Sequence, residues 1–406
     1  MFKITKKFFF FFVAFTIVLS TWIIYYKPSS ILYFFLILVG ILLIFRFEIK
    51  ALSLNFKKFI PLFLFLFYCW LPKRLFFDQL SFSLLISLFY SSLLIALPKS
   101  TQKEIFKNIK VIFLWILLPG IVFFVLNNYL NVFNLTPIAI VEVEERVWAV
   151  FPFYVSDITN TLNNIRFSSI FDEPGYLGTL MFFILLIDNF SINKTNLIFF
   201  ISGVLSFSLA FYLLTCLYVL FKLIIEKKVK TIFLIIAIAI VLNVMFYETI
   251  QSLILGRIMF DSETRTIVGD NRGGLYLHIS ALGHLYEHSP ITFMFGNGLS
   301  VIEYTEDPYG VFSDSVWVRL VYQIGIIPLI SFLIYLFHIS TLRTNRFDYF
   351  LFFTISLYQR PQIFEPVILF LLFYGIRKYN YNSSHKLKTT EILIEPQKQL
   401  DQYNFS

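Results

Sequence analysis

The chain has 406 residues, of which 58% are hydrophobic and only 14% are charged. Because a soluble domain of this length needs a larger polar share to cover its surface, the composition excludes a soluble globular class and predicts an integral membrane protein. The formal net charge of +8 does not indicate nucleic-acid binding, since the basic residues follow a membrane topology rather than one patch.

Apolar segments recur along the whole chain, and about 20 such residues cross a bilayer. They predict an all-α, polytopic membrane protein with about twelve transmembrane helices. The lysines ahead of the first segment resemble those of a signal peptide, but no small-residue cleavage site follows, so we expect a retained first helix. The segments are 8–26, 31–45, 59–71, 75–97, 111–126, 175–190, 197–210, 211–225, 231–247, 317–337, 348–358 and 366–376.

Two long polar interruptions divide these segments into groups. The predicted parts are an N-terminal bundle of helices 1–5 (1–126), a first large outer loop (127–174), helices 6–9 (175–247), a second large outer loop (248–316), helices 10–12 (317–376) and a cytoplasmic tail (377–406). Cys69 and Cys216 lie inside apolar runs, which predicts packing roles rather than a disulfide or a thiol metal site.

Lysine and arginine set the predicted orientation. With the chain starting inside and alternating through twelve crossings, 19 of the 21 lysines lie on the inner side, but 8 of the 12 arginines lie on the outer side. The stretch 197–225 is either one long helix or two short crossings. We favour two, with a break near 206–208, because both Lys194 and the lysines of 227–230 then stay inside.

Arginines therefore remain in the outer loops although topology selects against basic residues there. Arginine stays charged and binds phosphate oxygens through paired hydrogen bonds, which favours an anionic ligand. The alternative is that these arginines pair with acids of the same loops. The arginines are Arg146, Arg166, Arg257, Arg265 and Arg272, and the acids are Glu142, Glu144, Glu145, Asp261 and Glu263.

The most informative stretch is RFSSIFDEPGYLG (166–178), where the first loop returns to the membrane. Pro174 suits the first turn of a helix, where its missing N–H is no loss. Asp172 and Glu173 precede it, where a carboxylate is favoured by the helix dipole. An ordinary capped helix start explains this pattern as well as a functional site does.

This stretch resembles the O-antigen polymerase (Wzy-type) and O-antigen ligase superfamily. Its members share an arginine, a small-residue turn and a Glu-Pro pair that leads into a helix after the first large periplasmic loop. Arg166, 168–169, Glu173, Pro174 and Gly178 match that pattern here. The later stretches GVLSFSLAFYLL (203–214), NRGGLYLHISALGHLYEHSP (271–290), FGNGLS (295–300) and FSDSVWVRLVYQIG (312–325) agree in order, so the resemblance covers roughly 110–340.

The resemblance implies a GT-C-like glycosyltransferase in the bacterial cytoplasmic (inner) membrane, with both termini cytoplasmic and a periplasmic active site. The implied reaction transfers a growing polysaccharide from undecaprenyl pyrophosphate to a sugar hydroxyl of the next lipid-linked unit. Glu173 is the expected general base, and Arg166 the expected catalytic and pyrophosphate-binding cation together with Arg257 and Arg272. Secondary candidates are Asp172, Arg265, His288, Asp314 and Arg319.

No cofactor or metal is expected. Of the three histidines in the second loop, only His284 and His288 share a helical face, and neither a cysteine nor a Glu-x-x-His pattern accompanies them. The expected partners are undecaprenyl-pyrophosphate-linked oligosaccharides and membrane lipid, with a chain-length regulator as a candidate protein partner and no nucleic acid.

Three other functions compete with the polymerase. Ligases of the superfamily usually carry a histidine shortly before the helix that closes the second loop, but the corresponding place here reads SDS (313–315), which disfavours an O-antigen ligase. A lipid-linked oligosaccharide flippase should have short loops and charges deep within its helices, unlike this chain. A non-enzymatic scaffold leaves the outer arginines unexplained.

Overall fold

The computed structural model describes residues 5–21, 30–71, 82–130, 132, 135–143, 146–158, 166–171, 173–227, 260–261, 266–267, 274–298, 316–342, 344, 346–357 and 364–378. These residues are mostly helical, which confirms the predicted α class. The helices are α1 (Lys6–Leu19), α2 (Ser30–Trp70), α3 (Phe82–Ala96), α4 (Lys99–Asn128), α5 (Pro174–Ile187), α6 (Lys194–Leu205), α7 (Leu209–Ile225), α8 (Gly274–His288), α9 (Pro290–Phe295), α10 (Val316–Ile324), α11 (Ile326–Phe337), α12 (Phe347–Leu357) and α13 (366–378).

The first predicted loop also contains a small antiparallel sheet, which the sequence analysis did not anticipate. Its strands are β1 (Ala139–Val143), β2 (Arg146–Phe151) and β3 (Tyr154–Asp157), with β2 in the centre. The strands pair Ala139 with Val150 and Phe151 with Tyr154. A second, two-stranded ladder joins β4 (Phe260–Asp261) and β5 (Thr266–Ile267) in the second predicted loop.

Charged side chains meet at one end of the helices, which we call the Asp188 end. Asp188 lies one residue beyond α5 and accepts bonds from Lys110 of α4 (2.7 Å) and Lys378 of α13 (2.8 Å). Burial on its own raises the pKa of the Asp188 carboxyl, but the two lysines outweigh that effect and leave the pKa below its usual range. Lys6 and Glu48 form another pair at this end (3.1 Å).

Opposite the Asp188 end, the first residues of α5 and α13 meet, and the sheet lies against the last turns of α4. Asn127 in α4 donates to the Tyr154 hydroxyl of β3 (2.8 Å), whereas Lys110, earlier in α4, contacts Asp188. Tyr176 in the first turn of α5 donates to Glu365, the residue before α13. Thus α4 runs away from the Asp188 end, and α5 and α13 run toward it. These directions agree with the alternating order expected from the lysines.

The helix α2 contains two predicted crossings, 31–45 and 59–71, without the expected break between them. A straight helix would separate Gly40 from Phe63 by about 35 Å. Yet a Cβ on Gly40 would lie 3.2 Å from the Tyr90 ring, and the Phe63 ring lies 5.5 Å from that of Phe89. Both halves of α2 therefore pack along α3, so α2 is bent. Pro61 has no amide hydrogen and favours a bend there.

The stretch 197–225 forms two helices, as predicted. Between α6 and α7, Phe207 adopts a left-handed conformation (φ 44°), and the Ser208 hydroxyl accepts a bond from the Phe211 amide (3.4 Å) to begin α7. The aromatic ring of Phe211 fills the space above Gly203, so α6 and α7 pack closely against each other. The Tyr218 ring of α7 stacks on Phe190, just after α5, at 4.6 Å, which places the far end of α7 at the Asp188 end.

The predicted segment 317–337 is in contrast broken, at Gly325 between α10 and α11. Gly325 has a φ of 86°, and a Cβ there would collide with the backbone of Phe295. The facing turn begins at Gly296 (φ 74°), and the amides of Asn297 and Gly298 donate to carbonyls of α10 (2.8 and 2.7 Å). The sequence analysis did not anticipate that the turn at 296–298 packs into a helix break.

Two described stretches are long and apolar enough to cross a membrane, namely Ile31–Lys50 and Lys99–Asn128. Shorter apolar helices of 10–17 residues accompany them, including Pro174–Ile187 and Leu209–Ile225. The segment predicted at 231–247 lies outside the described residues.

We expect Asp188→Asn to destabilise the protein by about 1–3 kcal/mol, because it leaves two partly buried lysines without their carboxylate. The matched control is Glu104→Gln, which removes an exposed pair with Lys107 (2.7 Å) and should cost no more than about 0.5 kcal/mol. Unfolding of the detergent-purified variants measures both changes in stability. Equal losses of stability in the two variants would contradict a structural role for Asp188.

Candidate functional site

The last part of the first predicted loop is tied to β3 at its small-residue turn. The Ser168 hydroxyl donates to the Val155 carbonyl (2.8 Å), and the Val155 amide donates to the Ser169 carbonyl (2.7 Å). Ser169 adopts a left-handed conformation (φ 53°), and both serines are buried. Small side chains suit this turn because the backbone of β3 lies directly against it. The turn predicted at 168–169 is thus present.

Arg166 lies half-buried beside the turn between α6 and α7. Its Nε donates to the Ser206 carbonyl (3.3 Å), and the next amide, that of Phe167, donates to the Leu205 carbonyl (2.9 Å). These carbonyls belong to the end of α6, where helix carbonyls have no partner within the helix. The bonds hold Arg166 against this turn. The predicted arginine is therefore in direct contact with the turn between α6 and α7, which lies within the stretch 203–214.

Glu173 is the residue before α5, and Pro174 is the first residue of that helix, as predicted. The Glu173 side chain makes no hydrogen bond to the amides of the helix start, so capping does not account for it. Its carbonyl instead accepts from the Tyr176 amide (3.1 Å). Tyr176 follows Glu173 by three residues, so both lie on one side of the first turn.

The helix α5 packs closely on α7 at Gly178. A Cβ on Gly178 would lie 2.6 Å from the Ser208 Cβ, closer than real side chains approach. Every residue of α5 from Gly175 to Ile187 is buried. The glycine of the predicted motif therefore lets α5 reach the α6–α7 turn, next to the carbonyl that Arg166 contacts.

We expect Gly178→Ala to destabilise the protein by about 1–3 kcal/mol through overpacking against Ser208. Adding Ser208→Gly removes the colliding Cβ and should recover most of that loss, at a capping cost of a few tenths of a kcal/mol. Gly283→Ala is the control, since its Cβ would meet nothing within 4 Å. Thermal unfolding in detergent measures all variants, and an unaffected Gly178→Ala would contradict the close approach.

Glu365 is a site residue that the sequence analysis did not identify. In the structure the Glu365 carboxylate accepts a 2.5 Å hydrogen bond from the buried Tyr176 hydroxyl, and the α13 helix begins immediately after it. The signal available in the sequence was Glu365-Pro366, a second Glu-Pro pair ahead of a helix, like Glu173-Pro174.

Several predicted site residues lie outside the described residues, so their positions remain predictions. They are Asp172, Arg257, Arg265, Arg272 and Asp314. Arg146 lies at the start of β2 and Arg319 in α10, but their side chains lie outside the described part. His288 is the last residue of α8 and is exposed, with its ring 5.8 Å from that of His284.

The described contacts form one chain from Arg166 through the α6–α7 turn and Gly178 to Tyr176 and Glu365. We call this set, with Glu173, the Arg166 cluster. It combines a guanidinium that suits an oxyanion with two carboxylates that can accept a proton. Its acidic members lie at the starts of two largely buried helices, so rigid elements hold them.

Comparisons with protein-family models, with curated proteins and with solved structures found no match.

Proposed function

We propose that the protein spans the bacterial cytoplasmic membrane about twelve times, with both termini in the cytoplasm and the Arg166 cluster at the periplasmic face. The outward surface of the helices supports this proposal. Only 28% and 33% of the two membrane-length windows are buried, whereas the core helix of a soluble protein is mostly buried. Large apolar side chains also face outward in helix centres, such as Trp115 (77% exposed) and Leu42 (68%). The Asp188 end is then cytoplasmic, in accord with its lysines.

At this face the protein acts as a polymerase of lipid-linked oligosaccharide units, such as those of O-antigen. The observation that carries the proposal is the anchoring of Arg166 to the α6–α7 turn, beside the start of α5. The turn, the glycine contact and the Glu-Pro helix start are the features on which the resemblance to the Wzy-type superfamily rests. Here these features lie in one continuous set of contacts. A chance similarity of short motifs would give no reason for them to contact one another.

In the proposed reaction a sugar hydroxyl of the incoming unit attacks the anomeric carbon of the growing chain. The bond between that carbon and the pyrophosphate oxygen breaks as the new glycosidic bond forms, and undecaprenyl pyrophosphate leaves. Negative charge grows on the leaving pyrophosphate, and a fixed guanidinium such as that of Arg166 stabilises it. Arg257 and Arg272 remain candidates for the same role.

The attacking hydroxyl loses its proton to a general base, which we assign to Glu173. Glu173 lies immediately before α5 without capping it, and it is the glutamate of the Glu-Pro pair on which the resemblance rests. Tyr176 lies one helical turn after Glu173, and its hydroxyl donates a hydrogen bond to the Glu365 carboxylate. Because the Tyr176 hydroxyl holds this carboxylate in place, we assign Glu365 the role of orienting sugar hydroxyls.

The proposal is tested by the surface polysaccharide of a strain that lacks the gene, separated by length on a gel. We expect a single repeat unit attached to the acceptor, in place of the ladder of the parent strain. Bare acceptor beside long lipid-linked polymer would instead identify a ligase. Bare acceptor with single units left on the cytoplasmic side would identify a flippase, and an unchanged ladder would exclude all three.

A further inference from the structure

The last turn of α8 carries three side chains of metal-binding type on one exposed face. His284, Glu287 and His288 each offer one ligand atom, and these atoms lie within 4.8 Å of one another. Within the described part of the chain, this is the one group of at least three such residues that converges in this way. The sequence analysis counted the two histidines but not Glu287, which follows His284 by three residues and supplies the third ligand.

The spacing suits a single ion. Histidines four residues apart lie one above the other on a helix, and a residue at the third position shares their face. Tetrahedral zinc with bonds of 2.0–2.1 Å requires ligand atoms about 3.4 Å apart. Exposed side chains at the present separation reach that geometry by rotating, without movement of the helix.

The His288 ring has a backbone partner that can fix its tautomer. Its Nδ1 lies 3.0 Å from the His284 carbonyl oxygen. When Nδ1 carries the proton and donates to that carbonyl, the lone pair on Nε2 is left to bind an ion. A backbone carbonyl that fixes the tautomer of a ligating histidine is a common feature of metal sites.

The position of the group on the helix also favours a cation. His288 is the last residue of α8, and the carbonyl end of a helix carries partial negative charge. The corner that follows is held by a bond between the hydroxyls of Ser289 and Thr292 (2.8 Å), so α9 begins at a fixed angle. The proposed ligands therefore lie on an ordered corner between two helices.

We propose that His284, Glu287 and His288 bind one divalent transition-metal ion, for which zinc is the best match in ligand type. Three protein ligands leave at least one coordination position, which water occupies. This assignment makes His288 a metal ligand rather than a secondary candidate for the polymerase site. It holds whether or not the protein is a polymerase, because it rests on the ligand geometry alone.

The test uses the full chain, purified in detergent with a tag that contains no histidine and stripped of metal by a chelator. Cobalt(II) is the probe, because its visible absorption reports tetrahedral binding, and zinc is then added to displace it. The variants are His284→Ala, His288→Ala and Glu287→Gln. His338→Ala is the matched control, since His338 is also exposed and lies in a different helical segment, the short π-helix His338–Leu342.

We expect one equivalent of cobalt in the wild type and in His338→Ala, displaced by zinc. Each histidine variant should weaken binding at least about 100-fold, since loss of an outer-shell partner alone costs about 10–100-fold, and Glu287→Gln should weaken it less. All ligands are exposed, so the variants should unfold at the wild-type temperature. No saturable cobalt binding in the wild type, or one equivalent retained by both histidine variants, would overturn the proposal.

Discussion

Arg166→Ala should abolish polymer while leaving the protein in the membrane. Removing one preorganised group that stabilises developing negative charge slows a reaction by about 10²–10³-fold. A loss of that size leaves single units on the polysaccharide gel. Expression in a strain that lacks the gene, with the variant quantified in membranes, provides the measurement.

A structural role of Arg166 must be separated from a chemical one, because its Nε also holds the end of α6. Arg166→Lys keeps the positive charge but loses the forked geometry, and should give a shortened ladder rather than none. Arg46→Ala is the control. Arg46 is an exposed residue of α2 that lies just before Glu48, and therefore at the Asp188 end of the helices. If Arg166→Ala lowers polymer only as far as it lowers the amount of folded protein, Arg166 is a structural residue.

Glu173→Gln should also abolish polymer, because a general base contributes about 10²–10⁴-fold and an amide cannot accept the proton. The change keeps the size of the side chain. Because the carboxylate makes no capping bond, the start of helix α5 should be retained, and the amount of folded variant in membranes checks this. Glu142→Gln is the control, an exposed glutamate on β1 of the same predicted loop.

The comparison with Glu365→Gln decides which carboxylate accepts the proton. We expect Glu365→Gln and Tyr176→Phe to weaken substrate binding and shorten the ladder without removing it. A full ladder from Glu173→Gln, together with none from Glu365→Gln, would assign the base to Glu365 and contradict the role given to Glu173.

Most of the helical organisation followed from apolar segment lengths and lysine positions. The break between α6 and α7 was predictable, because only two short helices kept Lys194 and Lys227 on one side. The continuous α2 and the break at Gly325 were not. In both cases tertiary contacts decide the outcome: both halves of α2 pack on α3, and Gly325 faces Gly296 at a distance that no side chain fits.

For the candidate site, the sequence motif predicted the local structure of its own residues but not the distant residues that contact them. Pro174, Gly178 and the 168–169 turn have the local structures expected from their residue types. The small sheet that holds the turn was missed, since its short strands lie in a stretch that was assigned only as a loop. Glu365 was missed because its partner, Tyr176, is 189 residues away in the sequence. Contacts of that separation leave no periodic pattern to detect.

The most direct test of the account is polymerisation by the purified protein in lipid vesicles. Lipid-linked single units, extracted from a strain that lacks the gene, serve as the substrate, with no nucleotide sugar or ATP added. We predict that the wild type converts them to longer lipid-linked chains and releases undecaprenyl pyrophosphate, and that Glu173→Gln does neither. Unchanged single units with the folded wild type, or equal conversion by Glu173→Gln, would contradict the account.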